Sequence, residues 1–490
     1  MRYFLIIICL LLAKSSFADF QWNTNCQQAY ALIIQLKFDN AQSLLEKEKK
    51  VNPENTLVFL IENYADYLKI QIGEEKSDFE KLKKNKDIRL NIIEDAESDS
   101  PWYLYSRAEI NLQWAANRLK FGEYLTAALE INKAYRLIKE NAERYPNFIP
   151  NKKSLGLLYT LIGSVPEQYS WVLSVIGMEG SIKTGLEMMN KAIVEMKTNR
   201  DYNIMLEESY FLYAFLKMNL DNDKQDLVNL LSELKSKDHL LMNFASSRIA
   251  SKLGQNDLAI KILENRKIDH DHYPFYYLEY LLAVAKQNKL DDDCIVHYNN
   301  YLKKFNGENY KKSALMRISW QYLMKGDLDN YGVFKDKIKR LGATQIDADK
   351  EAKSYSENKE QPQANLLKAR LLFDGGYYKD AIMELQNIDD PNFFSNSKNT
   401  LEYFYRIARC QENTENYDEA IVNYNKTIKM GSKKHYFYAA KSALQLGMYY
   451  EKIGEVKEAK KYFNTCVEME DHQYEQGIEQ KAKAGLNRLN

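Results

Sequence analysis

The chain has 490 residues, of which 19 are glycine and 8 proline, against typical shares of ~7% and ~5%. So few turn-formers exclude an all-β sandwich, a collagen or a proline-rich linker protein. Hydrophobic residues make up 45% and charged residues 28%, the balance of a chain that buries a core and is not globally disordered. Lys+Arg and Asp+Glu are both 68, and zero net charge lacks the basic surplus that general nucleic-acid binding needs.

Residues 1–18 read as a signal peptide. Met1-Arg2 supplies the positive start, Tyr3 to Ala13 the apolar stretch, and Ser16 and Ala18 the small residues before a cut at Asp19. The apolar stretch falls short of the ~20 residues that a membrane span requires. The expectation is an exported protein, periplasmic or outer-membrane-associated in a Gram-negative bacterium. Export permits disulfides. Cys26, Cys294, Cys410 and Cys466 show no CxxC spacing and no histidine at metal-ligand spacing. They read as small buried hydrophobes, with a single disulfide between two of them left open.

Residues 19–153 form N-terminal helical repeats. Ala29, Leu32, Ala41 and Leu45, closed by Pro53, mark one helix pair; Ala115, Gly122, Ala127, Ile131 and Ala134 mark another, with a helix over Leu57–Ile72 between them. Residues 154–200 break the pattern as a central helical hairpin and insertion. Gly163-Ser164-Val165-Pro166 ends one helix, Trp171–Ile176 is a second apolar run, and Gly180, Gly185, Met189 and Ala192 read as a second helix. Three readings stand for this segment, one of them an interfacial membrane contact. Otherwise it is a packing element joining repeat blocks, or Tyr159, Tyr169 and Trp171 line a pocket for a small molecule, a lipid or an enzyme's substrate.

Residues 201–349 are middle helical repeats. A helix over Ser209–Leu220 precedes a pair at Ala250, Gly254, Ala259 and Leu263. A further pair lies at Leu282, Ala285, Cys294, Tyr298 and Tyr301, and a degenerate one at Ser319, Tyr322, Gly326 and Tyr331. Residues 350–363 are polar, carry Pro362 and read as a linker. The C-terminal block, 364–490, is the clearest. Ala369, Leu372, Gly375-Gly376, Ala381 and Leu385 are followed by Ile407-Ala408, Asn416-Tyr417, Ala420 and Tyr424. Leu446-Gly447, Tyr450, Gly454, Ala459, Phe463 and Cys466 close the series. Ala381, Ala420 and Ala459 recur every 39 residues. Small residues at 447 and 459 allow two antiparallel helices to approach, and Tyr450 and Phe463 fill the space between them.

This order of Leu-Gly, Tyr, Gly, Ala, aromatic and small residue resembles the tetratricopeptide repeat. The resemblance implies an all-α fold, an α-solenoid of about eight to nine helix-turn-helix pairs in a right-handed superhelix with a concave face. The first-helix Trp is missing from the clear repeats, and the period exceeds the ~34 residues of the plain repeat. The central segment, with its Gly-Ser-Val-Pro turn before a Trp-bearing run, is similar to the inclusion-body clearance and tetratricopeptide-protein-39 group, from which no catalytic residue carries over.

His270-Asp271-His272 is the one histidine cluster. It lies in a loop between helix pairs and reads as an exposed loop, with metal ligation the sharper alternative. Asp291-Asp292-Asp293 reads as helix capping. The chain has no Walker A, GxGxxG, HExxH or GxSxG motif, so no catalytic residue, cofactor or metal site is assigned. In tetratricopeptide repeats the position after the first-helix small residue faces the concave side. Counting eleven back from the second-helix alanines places Arg248, Arg370 and Arg409 there, interrupted by Met448 and Ala283. The expectation is a non-catalytic scaffold that binds a protein or peptide partner in its groove, with no nucleic acid and with peripheral membrane association not indicated.

Overall fold

A computed structural model describes residues 20–96, 99–165, 177–220 and 223–489. Among them every regular element is helical, and no helix is long and apolar enough to cross a membrane. The chain forms two compact units. One comprises residues up to Leu253 with Lys261–Glu279 and Lys303–Asn309. The other comprises Gly254–Ile260, Tyr280–Leu302 and Tyr310–Asn490.

The first unit opens with α1 (Thr24–Ile34), α2 (Phe38–Val51), α3 (Leu57–Gly73), α4 (Lys76–Leu82) and α5 (Lys84–Glu94). It continues through α6 (Pro101–Lys120), α7 (Tyr124–Arg144), α8 (Ile149–Gly163) and α9 (Ile182–Thr198). α10 (Leu206–Leu220), α11 (Lys224–Leu234) and α12 (Leu240–Lys252) follow. Helices pack as antiparallel neighbours, α1 on α2, α6 on α7 and α8 on α9, and α3 also packs on α6. α6 starts where Ser100 accepts a hydrogen bond from the Trp102 amide and Pro101 takes the first helical position, which supplies both an N-cap and a preset φ. α8 and α9 touch backbone to backbone: a Cβ at Gly185 would fall 2.5 Å from the Gly156 carbonyl oxygen. The described parts of the central segment, α8 and α9, thus form a packed helix pair. Tyr169 and Trp171 lie outside the described residues.

The interior of this unit carries a polar network within its apolar core. Five helices meet around Lys153, whose side chain is 1% exposed. Its Nζ donates to Glu208 Oε2 at 2.7 Å and to the Tyr64 hydroxyl at 3.2 Å, and lies 3.7 Å from Glu109. Tyr30 donates to Glu208 at 2.6 Å, Tyr64 to Glu109 at 2.9 Å, and Ser154 also donates to Glu109. Burial alone would push the ammonium's pKa down, but Glu109 and Glu208 more than reverse it and hold it well above the usual lysine value. Burial, reinforced by the same carboxylates, raises the Tyr30 and Tyr64 hydroxyls.

α13 (Asn256–Glu264), α14 (Tyr277–Asn288) and α15 (Cys294–Lys304) have residues in both units. The second unit continues with α16 (Lys311–Met324), α17 (Leu328–Ile338), α18 (Asp347–Glu357), α19 (Ala364–Asp374) and α20 (Tyr378–Gln386). It ends with α21 (Ser397–Asn413), α22 (Tyr417–Gly431), α23 (Tyr438–Lys452), α24 (Val456–Val467) and α25 (Glu475–Arg488). The pairs are α16/α17, α19/α20, α21/α22 and α23/α24. First helices also stack on first helices, α16 on α19, α19 on α21 and α21 on α23, and α25 closes the series on α24. Ala459 and Phe463 are fully buried, and a Cβ at Gly447 would lie 2.5 Å from the Phe463 ring. The small-residue positions read from sequence therefore face their partner helices.

The 350–363 segment differs from its reading as a linker. It is helical through Glu357, within α18, which packs on α16. The buried stripe of α18 is Asp349, Ala352 and Ser356, so helical periodicity is present without apolar periodicity. Asp349 is held inside because it accepts hydrogen bonds from the Tyr310 and Ser313 amides.

Removing one member of a buried ion group leaves the others uncompensated, at ~3–5 kcal/mol. Lys153→Ala is expected to lower the urea midpoint accordingly, and adding Glu109→Gln and Glu208→Gln to Lys153→Met is expected to restore much of it. In the second unit, Ala459→Leu overpacks the α23/α24 contact at ~1–3 kcal/mol. Lys457→Leu, at an exposed position of the same helix, should leave the melting temperature nearly unchanged.

Candidate functional site

The second unit carries a half-open cavity of about 720 Å³, within the ~300–1,000 Å³ range of ligand pockets. Successive helices contribute to it in register: Trp320 from α16, Glu351 and Tyr355 from α18, Arg370 and Phe373 from α19, Glu402, Arg406 and Arg409 from α21. The residues that begin the first helices also line it. Gln363 and Asn396 cap α19 and α21 with their side chains, whereas Phe437 and Tyr474 precede α23 and α25 and make no side-chain cap.

Arginines and rings alternate along the wall. Arg370 lies over the Trp320 ring, 5.2 Å from its centroid, and Arg409 over Phe373 at 5.3 Å. Each cation has local partners. Arg370 donates to Glu351 at 2.9 Å and lies 3.9 Å from Asp374. Arg409 pairs with Glu412 at 3.2 Å and donates to Gln445. Arg406 Nε donates to Glu402 at 2.7 Å, and Tyr438 donates to the other Glu402 oxygen at 2.7 Å. Burial pushes the Glu402 carboxyl up. Arg406, the Tyr438 hydroxyl and Arg370 together outweigh that and hold it below the ordinary carboxylate range.

Lys441 is the cavity's unbalanced neighbour. It is half-buried on α23, one turn after Phe437 and one turn before Gln445. Among the described residues no carboxylate forms an ion pair with it. Burial, with Lys481 and Arg409 nearby, pushes its pKa down to about 8.

Arg370 and Arg409 thus come together on one cavity. Arg248 does not join them: α12 buries Ala245 and Ile249 and leaves Arg248 exposed in the first unit. Tyr159 is half-buried with its ring 6.1 Å from that of Tyr135. Burial and the Tyr135 hydroxyl push its pKa up to about 12. Met448, at the position equivalent to Arg409, is 44% exposed. The residue that meets Arg409 is Gln445, 36 positions on, because stacked first helices are staggered by nearly a turn against the 39-residue repeat. The same offset joins Glu402 to Tyr438.

The loop before α14 holds Asp269, Asp271 and His272 within reach of one another, with His270 exposed. The Lys37 ammonium lies 3.4 Å from Asp269 and 3.1 Å from Asp271, supplying there the positive charge that a bound cation would bring. Asp291 accepts from the Asp293 amide at 2.9 Å and pairs with Lys286, a local turn role. Cys26, Cys294, Cys410 and Cys466 are buried free thiols, each pushed up to about 12 chiefly by burial.

Residues 401–430 and 440–472 match the tetratricopeptide repeat family, so α21–α24, which carry Arg406, Arg409 and Tyr438, lie in tetratricopeptide repeats. No curated protein matches the chain. Among solved structures it is similar to the crystal structure of the yeast Tom70, at 13% identity over 86% of this chain and 96% of that one, with a TM-score of 0.21. At that score the likeness carries no structural argument.

The lowered Lys441 pKa has a definite sign. Below pH ~8 both the folded and unfolded lysine are protonated, and the cost of burying the charge is fully present. Between pH ~8 and ~10.5 the unfolded chain holds more protons, so the Lys441 contribution to stability rises with pH. Lys441→Met is expected to raise the melting temperature at pH 7, with the advantage over wild type shrinking toward pH 10. A pH-independent difference would show that the lysine titrates normally.

Proposed function

We propose that this chain is an exported, non-catalytic tetratricopeptide-repeat scaffold that holds a segment of a partner protein in the cavity of its C-terminal repeats. One observation carries the reading. Arg370, Arg406 and Arg409 converge on one cavity from successive first helices, interleaved with Trp320, Phe373 and Tyr438. Side chains held this way present hydrogen-bond donors and ring faces at fixed spacing along a surface, which suits an extended chain with its regular run of carbonyls and side chains. The charged groups pair with one another, an arrangement for recognition by exchange of hydrogen bonds and not for proton transfer to a substrate. Tetratricopeptide repeats at 401–430 and 440–472 support a protein partner, since such arrays build extended binding surfaces.

Export rests on the charged start, the apolar run Tyr3–Ala13 and the small residues at 16 and 18. Intact mass of the protein from its native host should give a chain beginning at Asp19; retention of Met1 would overturn it.

The cavity is tested by affinity capture from the native envelope fraction, comparing wild type with Arg370→Ala and Arg409→Ala. Hydrogen bonds to charged groups are worth ~1.5–3 kcal/mol, so each substitution should weaken a captured partner by about tenfold or more. The wild-type complex should also weaken with salt. Capture unchanged in the double variant would place the partner elsewhere.

A further inference from the structure

The end of the cavity at α23 and α25 departs from the rest of it in two ways. The first concerns rings. Helix starts favour Ser, Thr, Asp or Asn, and Gln363 and Asn396 fill that role at α19 and α21. At α23 and α25 the corresponding residues are Phe437 and Tyr474. Tyr474 sits at φ 60°, ψ 22°, a left-handed conformation that costs a non-glycine residue ~1 kcal/mol or more. The residue is nevertheless 71% exposed while lining the cavity. The loop that presents it is tied down, since the Gln473 amide donates to the His435 carbonyl at 3.0 Å. Tyr474 packs edge-on against Phe437 at 5.4 Å, and Phe437 lies 4.3 Å from Tyr438. Tyr310, which precedes α16, adopts the same left-handed conformation; at Tyr474 that conformation leaves the residue open on the cavity.

The second departure concerns charge. Position 402 in one repeat corresponds to 441 in the next, 39 residues on. At 402 stands a glutamate paired with Arg406 one turn later. At 441 stands a lysine with the neutral Gln445 one turn later, and Gln445 already accepts from Arg409. The Lys441 amide donates to the Phe437 carbonyl at 2.9 Å, so the two side chains stand one helical turn apart on the same face. This end therefore pairs an aromatic cradle, Tyr474 exposed and Phe437 half-buried, with a cation that forms no ion pair with a carboxylate among the described residues.

We propose that Phe437, Tyr474 and Lys441 form a two-point anchor for a partner peptide in which an aromatic or long aliphatic residue lies beside an acidic one. The apolar side chain packs on the Phe437–Tyr474 cradle, and the carboxylate supplies the charge that Lys441, beside Arg409, lacks. This rests on the reading of the cavity as a peptide groove, and charge complementarity selects the occupant.

The test is selection of phage-displayed random heptapeptides on the immobilised full chain. Recovered peptides are then synthesised with amidated C-termini, so that no terminal carboxylate contributes. The expected result is enrichment of an aromatic or long aliphatic residue next to Asp or Glu. Binding should weaken by at least about tenfold in Tyr474→Ala and in Lys441→Gln, in variants that melt no lower than wild type. Selection on Lys441→Glu should replace the acidic neighbour with Lys or Arg. Peptides that lack the pairing, or that ignore Tyr474→Ala and Lys441→Gln but are lost with Arg370→Ala or Arg409→Ala, would overturn the anchor and leave the groove standing. Failure to enrich any peptide sensitive to all four substitutions or to any of them would overturn the groove and the anchor together.

Discussion

The Phe463 ring fits between helices with no atom to spare. A Cβ at Gly447 would come within 2.5 Å of it, and one at Gly485 equally close. That contact sets how near α23 can lie to α24 and α25. The equivalent small residues Ala408 and Ala420, buried with Tyr424 and Leu446, do the same one repeat earlier. Close second-helix contacts on one side oblige the first helices to stack in a fixed stagger on the other. The stagger, a few residues short of the repeat length, makes Arg409 meet Gln445 and Glu402 meet Tyr438. The cavity wall is thus a consequence of how tightly the opposite face packs.

The two units resolve buried charge differently. Around Lys153 the carboxylates, hydroxyls and ammonium come from this chain, and the network closes on itself. In the C-terminal cavity the Arg370–Glu351 pair is partly open to solvent, where an ion pair is worth little and its donors can be exchanged for those of another molecule, whereas Arg406–Glu402 is mostly buried. A buried network paired within the chain gives rigidity, while an exposed pair such as Arg370–Glu351 gives a place to bind.

Much of the second unit was legible in the sequence, because the spacing of Ala381, Ala420, Ala459 and Phe463 encodes a physical contact directly: a small residue is required wherever a neighbouring helix comes close. Arg370 and Arg409 followed by counting from those alanines. α18 was hidden, since its buried residues Asp349, Ala352 and Ser356 are small or polar and carry no hydrophobic signal. Phe437 and Tyr474 were hidden for another reason. Helix starts are read by their capping residues, and an aromatic there leaves no mark that distinguishes an inward ring from an exposed one. The Lys153 network was least legible, because each member alone resembles a surface residue and their meeting depends on the path of five helices.

That meeting changes what kind of solenoid the first unit is. Repeat arrays are quasi-one-dimensional: each repeat touches its neighbours and folding can begin anywhere. Here Tyr30 bonds Glu208 across 178 positions, and the Trp22 indole donates to the Asp201 carbonyl across 179. α1 and α10 are therefore tied by side chains across the row of helices between them. Loss of α1 would strip Glu208 on α10 of its Tyr30 partner. Long loops must also be closed before those bonds form, which slows folding in proportion to such non-local contacts. The first unit should accordingly behave as a single cooperative body that tolerates neither shortening nor lengthening by one repeat, the freedom that ordinarily lets arrays of this kind vary in evolution.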